Sequence, residues 1–87
     1  MNAPTTDDRQ LIGSNIRLAR ELAGNVSQRE LVRRVNQRLG SKFAVQDVSR
    51  WENGHRLPSL HTTRAIAAAL GRTRGWFYDE HPELEDR

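Results

Sequence analysis

Residues Gln46 to Gly54 read Gln-Asp-Val-Ser-Arg-Trp-Glu-Asn-Gly, and this stretch with its flanks is the most informative of the chain. Val48 and Trp51 stand three apart, so a helix from about Ala44 to Glu52 turns both to one side. Asn53-Gly54 stops it. Upstream, Val26 to Leu31 read Val-Ser-Gln-Arg-Glu-Leu, where Ser27 followed by Glu30 has the form of a capping box. Downstream, Leu57 to Leu60 read Leu-Pro-Ser-Leu, in which Pro58 closes a short basic loop and Ser59 caps another helix.

The same punctuation reaches both ends of the chain. A first helix is predicted from near Thr6 or Asp7 to about Ala23, with Gly24 as its stop and Ile12, Ile16, Ala19 and Ala23 on its inner face. The helix opened by Ser27 buries Leu31, Val32, Val35 and Leu39 and ends at Gly40. The helix capped by Ser59 runs Leu60 to Leu70 and turns Thr63, Ile66, Ala67 and Leu70 inward. A last short helix begins near Thr73 and carries Trp76, Phe77 and Tyr78. No segment alternates with period two for long enough to be a strand. The expectation is all-α: a compact bundle of five short helices over 7–79, a flexible N-terminus over 1–6 and an acidic tail over 80–87.

The Ser-Gln-x-x-Leu opening at Ser27 and the Ser-Arg-Trp-Glu-Asn-Gly-x-x-x-Pro close at Ser49 to Pro58 together resemble the XRE/Cro/C1-type helix-turn-helix repressors. The resemblance covers roughly Leu11 to Tyr78. It implies a lambda-repressor-like domain in which one helix crosses the DNA backbone and the next enters the major groove. One departure is plain. From Ser27 to Trp51 there are 24 steps, about six more than the family's usual spacing. The extra residues fall around Gln37 to Lys42, which predicts one more turn of helix and a longer turn at Gly40-Ser41-Lys42.

Charge points the same way. Residues 79–87 hold five carboxylates and one arginine, a net −4, while the first 78 residues hold 13 basic and 6 acidic side chains, a net +7. A basic body suits a polyanion. Thirteen of the 14 basic residues are arginine, which suits bidentate contacts to phosphate and guanine; a GC-rich genome is the equal alternative. The chain has no cysteine, so disulfides and thiolate metal sites are excluded. His55, His61 and His81 have no ligand-like spacing with carboxylates, and neither metal nor cofactor is expected. No apolar run reaches the roughly 18 residues of a membrane span, and Met-Asn-Ala-Pro-Thr-Thr-Asp-Asp lacks the basic and apolar regions of a signal peptide. No catalytic Ser/His/Asp or Cys/His set, Gly-rich phosphate loop or paired carboxylates outside the tail suggest an enzyme. The expected setting is cytoplasmic, bacterial or phage-encoded.

The resemblance places Val45, Gln46, Ser49 and Arg50 where the family reads base edges, and the chemistry agrees. Gln pairs with adenine, Arg with guanine, Ser with either, and Val meets a thymine methyl. A solvated helix face is the alternative. Phosphate contacts are expected from Gln28 and Arg29 at a helix N-terminus. Ser41 and Lys42 in the long turn, and Asn53, His55 and Arg56 after the reading helix, are further candidates. Asp47 is a poor neighbour for phosphate and is expected to point sideways or cap its helix. Arg20 and Glu52 are expected to form a largely buried ion pair. Trp76 and Tyr78 are candidates for a two-fold dimer contact on an inverted-repeat operator; alternatively Trp76 only closes the base of a monomer. The expected function is a sequence-specific regulator of double-stranded DNA, acting as a repressor. The alternative is a protein-interaction module, such as an antitoxin or coactivator component, on the same fold.

Overall fold

Caps set where each helix begins and ends. The computed structural model describes residues 5–85, with α1 at Thr5–Leu22, α2 at Gln28–Leu39, α3 at Val45–Glu52, α4 at Leu60–Leu70, a 3-10 turn at Arg74–Tyr78 and a short α5 at Pro82–Glu85. The Ser27 hydroxyl accepts from the Glu30 N–H, and the Ser59 hydroxyl accepts from the Thr62 N–H. Gly40 ends α2 in the left-handed conformation, φ 65°, with its N–H returned to the Asn36 carbonyl. Such a cap satisfies a terminal carbonyl at a backbone angle that costs glycine little.

The core is one cluster shared by all four long helices. Ile16, Ala19, Leu31, Val35, Val48, Ile66 and Phe77 are fully buried, with Ile12, Trp51, Ala67 and Leu70 nearly so. α1 packs against α3 and α2 against α4, while the 3-10 turn closes the base against α1 and α4. The approach of α1 to α3 is close enough to require glycine. A Cβ on Gly13 would lie 2.6 Å from the Glu52 carbonyl oxygen and nearer still to that of Trp51. Asn15 pins the base: its buried Nδ2 donates to the carbonyls of Phe77 (2.9 Å) and Asp79 (2.8 Å).

Several sequence expectations are corrected. Helix α1 starts at Thr5, inside the segment read as flexible, and it ends at Leu22, which leaves Ala23 exposed. Residues 1–4 lie outside the described residues. The expected fifth helix is a 3-10 turn, and one further helical turn, Pro82–Glu85, forms within the acidic segment. The capping box at α2 is half made. Ser27 caps, but the Glu30 carboxylate is taken by Arg33 (2.7 and 2.9 Å) and Arg34 (2.8 Å), charged donors on its own helix face.

The extended connection between α2 and α3 is held from below by one side chain. Asn36 Oδ1 accepts from the Ser41 hydroxyl (2.7 Å) and the Phe43 N–H (2.9 Å), and its Nδ2 donates to the Phe43 carbonyl (2.9 Å). The Phe43 ring then meets buried Trp51 edge-on, centroids 5.1 Å apart. The turn is thus tied back to α2 through Asn36 and to α3 through Phe43 and Trp51.

Candidate nucleic-acid interface

Helix α3 divides cleanly by face. Val48, Trp51 and Glu52 are buried, Gln46 and Arg50 are exposed, and Val45 and Ser49 are half-buried at the rim. The exposed strip is polar, with donors and an acceptor carried on a rigid element. Asp47 lies between these faces. It takes the Ala44 N–H on Oδ2 at 2.8 Å, capping α3. Its Oδ1 lies 3.6 Å from Arg50 Nη1 and 3.5 Å from Arg56 Nη1. Ion pairs this exposed contribute little stability. They do gather two guanidinium groups beside the outer face of α3.

A second cluster forms around Glu52, whose side chain has no exposure. Arg20 donates to it twice, Nε to Oε2 at 2.6 Å and Nη2 to Oε1 at 2.8 Å, and spends Nη1 on the Val26 carbonyl. Gln28 Nε2 donates to Oε1 at 2.9 Å, and Arg17 Nε lies 3.6 Å away. One carboxylate therefore ties α1, the start of α2 and the end of α3 together. Arg17 was not among the sequence candidates, although its position three before Arg20 on α1 puts both on one helix face. Its side chain is 53% exposed at this cluster, open to an anion as well as to Glu52.

The remaining candidates sort by what already holds them. Gln28 turns its carboxamide toward Glu52, so an anion at the N-terminus of α2 meets backbone N–H groups, with Arg29 exposed alongside. Ser41 is held by Asn36, whereas Lys42 is exposed. Asn53 donates to the Ser49 hydroxyl at 3.3 Å, and the His55 N–H closes on the Arg50 carbonyl at 2.9 Å. Asn53, His55 and Arg56 are all exposed just past α3. In the first turn of α2, the Arg33 guanidinium, and then that of Arg34, holds the Glu30 carboxyl down at about 2. The same contact raises Arg33 above its ordinary value.

Away from this surface, Trp76 is engaged by its own chain. His81 stacks on it at 4.1 Å, donating Nε2–H to its carbonyl at 2.7 Å, and the Arg72 guanidinium lies 5.1 Å from the ring centroid. Trp76 is half-buried as a result, and Tyr78, at 43%, is the aromatic left exposed. Tyr78 shares a groove of about 320 Å³ with Asp8, Leu11, Ile12 and the half-exposed Leu57. Among the described residues no three His, Asp or Glu side chains are placed to hold a metal ion, and no helix is long and apolar enough to cross a membrane.

A family model described as helix-turn-helix matches residues 16–77, from the middle of α1 to the 3-10 turn. No curated protein and no solved structure matches the chain.

Proposed function

Because the chain belongs to the XRE/Cro/C1-type helix-turn-helix family of DNA-binding regulators, we propose that it is a sequence-specific transcriptional repressor that reads the major groove with α3. The observation that carries this reading is the outer face of α3. Gln46 and Arg50 stand exposed there, with Ser49 and Val45 at the rim. Gln46 suits adenine, Arg50 guanine, Ser49 either, and Val45 a thymine methyl. The backbone is gripped on both sides: by the N-terminus of α2 with Arg29 and Arg17, by Lys42, and by Asn53, His55 and Arg56.

One α3 helix spans too few base pairs to single out a site in a genome, so the protein works as a two-fold dimer on an inverted repeat. Tyr78 and Leu57 are the exposed side chains that support such a contact, more than the engaged Trp76. Two exposed side chains fall short of the roughly 800 Å² per partner of a stable interface, so pairing occurs on the duplex. The setting is the cytoplasm of a bacterium or of a phage-infected cell. Binding to a duplex titrated from low to moderate salt tests the proposal. Affinity should fall with a log–log slope of several units, near −0.9 per phosphate engaged. A flat titration, or no binding, refutes it.

A further inference from the structure

In the α2–α3 connection, Gly40, Ser41, Phe43 and Ala44 are each held by a hydrogen bond, and Lys42 stands exposed between them. Gly40 returns its N–H to Asn36. Ser41 and both backbone groups of Phe43 bond the Asn36 carboxamide. Ala44 is held by Asp47, and the Phe43 ring rests on Trp51, itself buried under α3. Asn36 is half-buried in α2, and its side-chain bonds go to Ser41 and Phe43 rather than to the proposed reading face. All three of its side-chain bonds go to the segment that delivers the first residues of α3.

We propose that Asn36 is a positioning residue for sequence recognition: it fixes the 40–44 turn so that α3 meets the groove at one angle, with Lys42 set against the backbone beside Val45 and Gln46. The inference rests on the reading of α3 as the DNA-contacting helix. Its physical basis is a difference in tolerance. A bidentate base-edge pair weakens steeply once donor angles or distances drift. A flexible arginine or lysine follows a phosphate through the same drift with little loss. Freeing the turn therefore degrades discrimination before it degrades affinity.

The test compares wild type, Asn36→Ala, Asn36→Asp and Lys42→Ala on two duplexes of equal length. One is recovered by selecting bound sites from random DNA, and the other is of random sequence. All are measured at a temperature where circular dichroism shows each variant folded. Asn36→Ala should lower the selected-to-random affinity ratio about tenfold, the scale of one lost base-edge pair, with random-duplex binding within about twofold of wild type. Asn36→Asp keeps the acceptor for Ser41 and Phe43 but sets an oxygen against the Phe43 carbonyl, so its ratio should fall between. Lys42→Ala should weaken both duplexes alike and reduce the salt slope by about one. A folded Asn36→Ala with an unchanged ratio overturns the inference. Should Asn36→Ala not fold, an unchanged ratio in Asn36→Asp overturns it instead. A purely structural role for Asn36 would shift the melting temperature and leave the ratio of the folded protein where it was. Wild type that binds neither duplex refutes the DNA reading itself, and the inference with it.

Discussion

Replacing Glu52 by alanine removes the one carboxylate on which three elements converge. The side chain is fully buried, and it receives two bonds from Arg20 at 2.6 and 2.8 Å and one from Gln28 at 2.9 Å. Truncation leaves the Arg20 guanidinium, itself only 15% exposed, with the Val26 carbonyl as its remaining partner. Breaking one side of a buried pair costs about 3–5 kcal/mol, because the orphaned charge stays desolvated. Arg20 retains some access to water and one acceptor, which places Glu52→Ala near the lower end, at about 3 kcal/mol. The control is Arg17→Ala. Arg17 is 53% exposed and 3.6 Å from Glu52, so its loss should cost under about 1 kcal/mol. Urea melts followed by circular dichroism measure both. The midpoint of Glu52→Ala should fall sharply with the slope unchanged, the sign of altered stability rather than altered exposure. A loss below about 1 kcal/mol for Glu52→Ala would mean the carboxylate acts as an exposed one and is not buried against Arg20.

Gly13→Ala gains helix propensity but drives a Cβ into the carbonyls of Trp51 and Glu52, which are backbone and cannot yield. A net loss of about 1–3 kcal/mol is expected in the same melts, and a stabilised variant would contradict the close approach of α1 to α3. The Glu30 carboxyl, held near 2 by Arg33 and Arg34, should titrate well below its ordinary 4.5 when followed by NMR. Because the folded value is depressed, its contribution to stability is present above 4.5 and is lost as pH falls toward 2; an Arg33→Ala/Arg34→Ala double variant should return the midpoint toward 4.5, and a wild-type midpoint already there would be wrong for this geometry. Tyr78→Ala should leave the melt within about 0.5 kcal/mol, as for an exposed surface position, yet lower the protein-to-site ratio seen by sedimentation on the selected duplex. An unchanged two-to-one complex would remove Tyr78 from the dimer contact.

The boundaries of α2 and α4 were legible because they rest on local chemistry. Ser27, Ser59 and Gly40 cap where their residue types place them, and the apolar positions of α2, α3 and α4 keep helical spacing. What depended on competition or on distance was not legible. Glu30 could serve the Ser27 backbone or two arginines, and only their proximity in space decides for the arginines. Nothing local to Asn36 says that its carboxamide will gather a turn five to seven residues on. Phe43 lacked a periodic partner until folding set it against Trp51. Trp76 looked like a free surface because His81, which stacks on it, lies in a segment read as an acidic tail. At the site, residue types on α3 were readable as chemistry. The drawing of Gln28 toward Glu52 and of Arg50 and Arg56 toward Asp47 came only with the fold.

Whether the outer face of α3 reads sequence is decided by measuring Gln46→Ala and Arg56→Ala side by side on the selected and random duplexes. Gln46→Ala should lose about 1–3 kcal/mol of discrimination while keeping its binding to random DNA. Arg56→Ala should weaken both duplexes equally, since a phosphate contact carries no sequence information directly. Equal losses on both duplexes for Gln46→Ala would put that side chain outside the groove and contradict the account.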